Sequence, residues 1–348
     1  MKKKSIIIVI AVLVISLGIY AALKLTTNIF NPAEKKESLD IHAEYSPSLF
    51  TAPMGDSLII YDGKTLRRVS EDAKEIFSAT IRLDNFKAGV AGESVYLLDK
   101  VKKKVFQINS SGEITAQAES DKYITDMQVF ESGRFALSYI TDVKAQGIIF
   151  YDEKCRMIKD IVFPKTVINV IKEDSYTQGI LVSGLSREKD MLKNNIYIYN
   201  KKMEAIQSGD MQGSLRTDAE FLNDKIVLMD IGSISIMNRD LTEIAKIYSE
   251  DNFYKMMIAE NGIYAVDSKT KLSLFGFDGK LINQDKYESD IMFLQKKNNT
   301  VVCVTKDILS VNDKRTELAG DIIGINILGE KIALVQRGSI KLIKAELR

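Results

Sequence analysis

His42 is the only histidine in this 348-residue chain, so neither a Ser-His-Asp triad nor a multi-histidine metal site can be assembled from it. Carboxylates are plentiful, with 47 Asp and Glu, and a glycan-directed hydrolase needs only two of them at the right separation. No pair stands out by spacing, and most acids fall in turn-like stretches where solvation accounts for them. Asp62-Gly63-Lys64 and Asp278-Gly279-Lys280 read as turn formers, because the surrounding glycine-rich pattern of a phosphate loop is missing. The alternating Asp or Asn ligands of a calcium loop are missing as well. The sequence therefore assigns no catalytic, cofactor-binding or metal-ligating residue, and no cofactor is expected.

Composition narrows the partners. Lys and Arg number 48 against 47 Asp and Glu, a net charge of +1 with the two signs mixed along the chain, which gives a nucleic-acid partner no support. There is no tryptophan for a sugar platform, although 14 Tyr and 14 Phe remain available for stacking. A hydrophobic content of 45% is enough for a large core. Cys155 falls near a turn and Cys303 inside the apolar run Val301-Val302-Cys303-Val304 of a distant unit, so two free thiols are expected and no disulfide.

The elements that would position any site come from a repeat. A short apolar strand, a polar turn and a second apolar strand recur eight times, usually followed by a glycine- or acid-marked turn and an aliphatic residue. Those aliphatics are Ile76, Ile114, Ile158, Ile206, Ile244, Ile282 and Leu318, at spacings of 38, 44, 48, 38, 38 and 36. Four strands in such a period fit a propeller blade. The third strand of each unit is the clearest, and five of the eight, ending at Asn109, Asp152, Asn200, Asn238 and Asn312, close on a side chain that can bond the following turn.

Eight inner, second and third strands can be placed, but only seven outer strands follow a third strand before Arg348. Residues 38–44 alternate as a strand does, and we expect them to complete the last blade and leave no open sheet edge. The fold class expected is all-β, an eight-bladed β-propeller over 38–348; a seven-bladed alternative would leave the first unit outside the ring.

Two second-to-third connections exceed the repeat, Ile140 to Gly147 in the third blade and Gly184 to Asn194 in the fourth. Long loops outside a repeat consensus are where such proteins place binding sites. The candidate partner-binding residues are Ile140, Asp142 and Lys144 in one, and Arg187, Glu188, Lys189, Asp190, Met191 and Lys193 in the other.

Before the repeat, residues 1–4 carry Lys2, Lys3 and Lys4, and residues 5–23 are uncharged and mostly Ile, Val, Leu and Ala, long enough to span a bilayer as a helix. Ile19 and Tyr20 occupy positions where signal-peptide cleavage needs small residues, so an uncleaved anchor is expected, and no cysteine follows for lipidation. The basic end favours an inside N-terminus and an outside propeller at a cytoplasmic membrane. Residues 24–37 read as a polar tether. Since an outer strand starts on the face opposite the second-to-third loops, topology alone expects the long loops of blades three and four to point away from the membrane.

Val95-Tyr96-Leu97-Leu98-Asp99 leading to Ser110-Ser111-Gly112-Glu113-Ile114, and Ile263-Tyr264-Ala265-Val266-Asp267 leading to Phe277-Asp278-Gly279-Lys280-Leu281, resemble the repeat of the quinoprotein-like (PQQ-like) branch of the β-propeller superfamily. In layout the chain is also similar to single-pass, membrane-anchored propeller proteins of low-GC Gram-positive bacteria. The resemblance implies the blade architecture and a scaffold or ligand-binding role in the cell envelope. It does not extend to the quinone, which that branch stacks between a tryptophan and a disulfide of adjacent cysteines, neither of which this chain has. The function expected is a membrane-anchored, non-catalytic binding or scaffold module for an envelope protein or cell-wall ligand. The alternative is a glycan-directed envelope hydrolase working with paired carboxylates in the ring channel.

Overall fold

The computed structural model describes residues 38–43, 46–143, 145–212, 215–312 and 314–344. The expected membrane segment 5–23 and tether 24–37 lie outside the described residues, as do Glu44 and Lys144. Among the described residues no helix is long and apolar enough to cross a membrane.

Among the described residues thirty-two strands form eight separate four-stranded antiparallel sheets. Seven are consecutive in sequence, covering 50–80, 86–119, 123–163, 166–212, 216–248, 253–286 and 291–317. The eighth takes its inner three strands from 322–344 and its outer strand from Ser38–His42. The chain is thus an all-β, eight-bladed propeller, and the first unit is a full blade.

Each blade reads inner, second, third and outer strand, and burial explains the order. The second strands are the most apolar and sit between two neighbours, as in Ser57–Tyr61 and Ser94–Asp99, where nearly every residue is buried. Outer strands are covered on one side only, so the aliphatics that mark the repeat are largely solvent-facing: Ile76, Ile114, Ile206, Ile244 and Ile282 are all exposed. Leu318 departs from the expected position. The outer strand of blade seven ends at Glu317, and Leu318 instead packs into the joint between blades seven and eight.

The core is eight apolar clusters, each drawn from two adjacent blades, so that the clusters occupy the eight joints of the ring. The joint between last and first blades sets Ile41, Ala43, Leu328, Val335 and Leu342 against Leu58, Ile60 and Val69. His42 lies exposed on this closing strand, and its carbonyl accepts a hydrogen bond from the Arg67 guanidinium at 3.0 Å.

The third-to-outer turns share one geometry. In six blades a backbone N–H bonds the carbonyl four residues on, as from Asn109 to Glu113 at 2.9 Å and Asn200 to Glu204 at 2.9 Å. The residue three places into each of these turns is left-handed: Ala73, Gly112, Cys155, Met203, Leu241 and Gly279. The side chains of Asn109, Asp152 and Asn200 each accept two backbone N–H bonds from the turn that follows. Cys155 and Cys303 are both free and buried, one in such a turn and one in a second strand.

Ile41 is only 6% exposed although it belongs to a five-residue strand remote in sequence from its neighbours. Ile41→Ala should lower stability by about 2–5 kcal/mol in chemical denaturation, whereas Leu39→Ala, at a position 37% exposed, should leave the midpoint nearly unchanged.

Candidate functional site

The two faces of the ring differ in what they carry. Inner-to-second and third-to-outer turns share the first face; second-to-third turns and blade-to-blade links share the second. Ala43 bonds the Gly338 carbonyl at a second-face turn, so the closing strand begins on the first face.

The central channel opens on the first face into a cavity of about 1150 Å³ to which every blade contributes, from Pro53 of the first to Ile327 of the eighth. Its wall is apolar around Phe221, Met256, Met257 and Leu294, and polar at Glu131, Glu220, Glu260 and Lys296. Inner strands build this wall because their edges face the axis, where no further sheet can cover them.

Two neighbouring turns break the eightfold regularity of the mouth, the five residues 130–134 of blade three and a longer one in blade four. Six blades join inner to second strand in two residues, whereas blade four uses six, Asp174 to Gly179, and places Tyr176 at the rim 91% exposed. The loop is tightly held despite that exposure. Asp174, itself buried, accepts hydrogen bonds from the Thr177 hydroxyl at 2.5 Å, the Tyr176 N–H at 3.1 Å and the Arg239 guanidinium of blade five at 2.7 Å. Beneath it the buried Arg134 of blade three donates to the Gln178 carbonyl at 2.6 Å and contacts Glu173 at 3.5 Å, while Ser132 donates to the same carboxylate at 2.7 Å.

These carboxylates are held in opposite senses. Burial pushes Glu173 above the usual carboxylate range, only partly opposed by Ser132 and Arg134. Burial acts on Asp174 in the same direction, but the bonds from Thr177, Arg239 and the Tyr176 N–H outweigh it and hold the group below its ordinary value. Glu220, also at the mouth, is neutralised by Lys172 at 2.7 Å, and the same ammonium reaches Asp218 at 3.3 Å.

The residues singled out in sequence lie on the second face. The expected blade-three loop is shorter than read: Ile140 ends the second strand opposite Gln146, and only Thr141 to Ala145 form the connection, with Asp142 exposed in it. The expected blade-four loop is not a loop. Ile180–Glu188 and Met191–Tyr199 are nine-residue strands paired to the tip, so Lys189 and Asp190 alone make the turn. Charged side chains on a solvent-facing hairpin imitate a loop in sequence, because nothing there requires apolar alternation.

Arg187, Glu188, Lys189 and Lys193 come together at a shallow cleft of about 700 Å³ whose lining includes Asp210, with Lys193 bridging Glu188 at 2.5 Å and Asp210 at 2.8 Å. Arg187 pairs with Asp190 at 3.2 Å, and Met191 lies exposed at the tip. Ile140 and Asp142 do not line this cleft. The Asp174–Gly179 turn is marked in the sequence only by a polar, glycine-ended stretch between the first and second apolar runs where six units have two residues. Among the described residues no group of three or more His, Cys, Asp or Glu could hold a metal ion.

A ring of eight four-stranded sheets around a mixed-polarity mouth defines a β-propeller, and comparison with solved structures agrees on the fold. The chain is similar to BamB from Moraxella catarrhalis, with a TM-score of 0.62 at 10% identity over 88% of this chain and 98% of that one. It is similar to Saccharomyces cerevisiae Sqt1, with a TM-score of 0.65 at 8% identity over 88% and 98%. BBS1N, solved in complex with ARL6DN, aligns with a TM-score of 0.52 at 10% identity over 73% and 88%. None of the curated proteins matches the sequence. The chain belongs to the family described as "Family of unknown function (DUF5711)", whose model matches residues 26–316.

The depressed Asp174 supports the fold only while it is ionised. Its contribution is present above the unfolded-state value near about 3.9 and is lost as pH falls through the lower folded value. Asp174→Asn should therefore destabilise the protein at neutral pH and converge with the wild type in acid, as read from denaturation midpoints across pH.

Proposed function

We propose that this protein is a non-catalytic binding or scaffold module that takes a protein or cell-envelope ligand at the first-face mouth of the ring. The observation that carries the reading is the 1150 Å³ cavity lined from all eight blades, with a braced turn presenting Tyr176 at its rim. A concave site on a rigid frame that sets apolar side chains beside placed polar groups, as this mouth does, can hold a ligand and fix its orientation. An exposed aromatic on a turn whose backbone is already braced binds with little further ordering of the chain.

The hydrolase reading has less support. General-acid work needs a carboxyl group held protonated near neutral pH and open to substrate. At this mouth Asp174 is driven the other way, Glu220 is occupied by Lys172, and Glu173, which burial does push up, is sealed beneath the rim against Ser132 and Arg134 and does not line the cavity. We take the blades to be of the quinoprotein-like kind without its cofactor, and residues 5–23 to hold the propeller on the outer side of a cytoplasmic membrane.

Two experiments test these statements. Alkaline carbonate should leave the full chain in the membrane pellet and release a variant lacking residues 1–23; release of the full chain would refute the anchor. A photo-crosslinking residue at position 176 in intact cells should yield discrete adducts that the same residue at Ile206, exposed on an outer strand, does not. Identical adduct patterns at both positions, or none at 176, would refute the mouth as the ligand site.

A further inference from the structure

The second face over blades two to four brings exposed apolar side chains together with an excess of lysine. Four hydrophobic side chains stand well exposed there: Val101 at 70%, Tyr123 at 69%, Val143 at 85% and Leu192 at 54%. They sit at the tips and edges of successive turns. Val101 lies in the second-to-third turn of blade two, Val143 in that of blade three, and Leu192 beside that of blade four. Tyr123 begins the inner strand of blade three, directly opposite Ile140.

Lysines interleave with them. In the described turns of this sector, Lys100, Lys102, Lys103, Lys122, Lys165 and Lys189 stand against Asp121, Asp142 and Asp190. The described turns of the first face have the reverse balance, with fifteen Asp or Glu and eight Lys or Arg. The protein as a whole is nearly neutral, so this polarity comes from folding and not from composition.

We infer that this sector is a docking surface for an anionic lipid bilayer. Single apolar tips stand among ammonium groups, and the cleft beside Lys165 and Lys189 is lined mostly by polar and charged side chains and by none of these four. Such tips suit a soft interface in which valine and tyrosine enter the boundary of the acyl region while lysines stay at the phosphates. An acidic protein would also satisfy the lysines, but it would have to supply a surface shaped to four separated tips. Charge further favours this orientation, since the acidic first face is repelled by the same phosphates.

The inference rests on the membrane reading above and reverses the orientation expected from topology. Length permits it: the fourteen residues from 24 to 37 reach up to about 48 Å when extended, against about 20 Å for a six-residue strand across the ring. The mouth with Tyr176 would then face away from the bilayer, open to ligand.

The chain has no tryptophan, so a single introduced indole reports its own surroundings. Full-length Val143→Trp and Tyr176→Trp would be reconstituted in phosphatidylcholine vesicles, with and without phosphatidylglycerol, and quenched with brominated lipid. The expected result is quenching and a blue shift at position 143 that require phosphatidylglycerol and are lost on adding K100E, K102E and K103E together, with no quenching at 176. Circular dichroism verifies that the charge variant keeps its strands. Quenching at 176, or no quenching at 143 with phosphatidylglycerol, would overturn the proposal. Protection of the 143 probe by soluble polyglutamate and not by vesicles would also overturn it, assigning the surface to an acidic protein. Flotation with phosphatidylcholine alone reports the insertion of residues 5–23 separately. The phosphatidylglycerol arm tests the docking surface whether or not that insertion occurs.

Discussion

Each sheet in this propeller has two faces to bury and only the adjacent sheets to bury them against, so the apolar core is divided into eight joints and each joint needs two blades. A linear array would leave the outermost faces wet. The ring removes that deficit by setting Ile41, Ala43 and the strands of 322–344 against Leu58, Ile60 and Val69, residues hundreds of positions apart. Polar contacts cross the same joint, with Asn326 donating to the Thr51 hydroxyl at 2.9 Å and Lys331 to the Glu71 carbonyl at 2.8 Å. These bonds are modest individually, and closure rests chiefly on the apolar area that they flank.

Once the ring is closed, its axis becomes the place where irregularity has consequences. Inner strands cannot bury the edges that face the channel, so those edges line a cavity, and the only long inner-to-second turns fall side by side in blades three and four. Both are braced across blades, through Arg134 and Glu173 and through Asp174 and Arg239. Ion pairs on a buried carboxylate, as both of these are, add little net stability over apolar packing but are poor at tolerating rearrangement. They fix the backbone of the turn that carries Tyr176.

Much of the fold was legible in the residues because it is local. The alternation of second and third strands, and the Asn or Asp that ends them, follow from two-residue periodicity and from side chains that satisfy their own turn; Asn109, Asp152 and Asn200 do so with the same two bonds each. Leu318 misled because an aliphatic residue packs equally well from a link as from a strand. The blade-four hairpin misled for the opposite reason, since a solvent-facing ladder can be charged throughout and its pairing is carried by backbone. The Asp174–Gly179 turn went unnoticed because its weight lies in Arg134 and Arg239, which are contributed by other blades and have no fixed spacing from it.

The amino-acid order alone determined the four-strand repeat, most of its strands and the lack of residues for a multi-histidine or tryptophan-based site, because these depend on short-range pattern and on which residues exist; that the first unit is a full blade, making eight, was decided by its pairing in the fold. Tertiary structure decided which eight edges meet at one mouth, which acids are neutralised there, and that a chain of net charge +1 has one acidic face and one basic sector. Consecutive turns of a blade alternate between the two faces, so charges adjacent in sequence are sorted to opposite sides of the ring only when the sheets form.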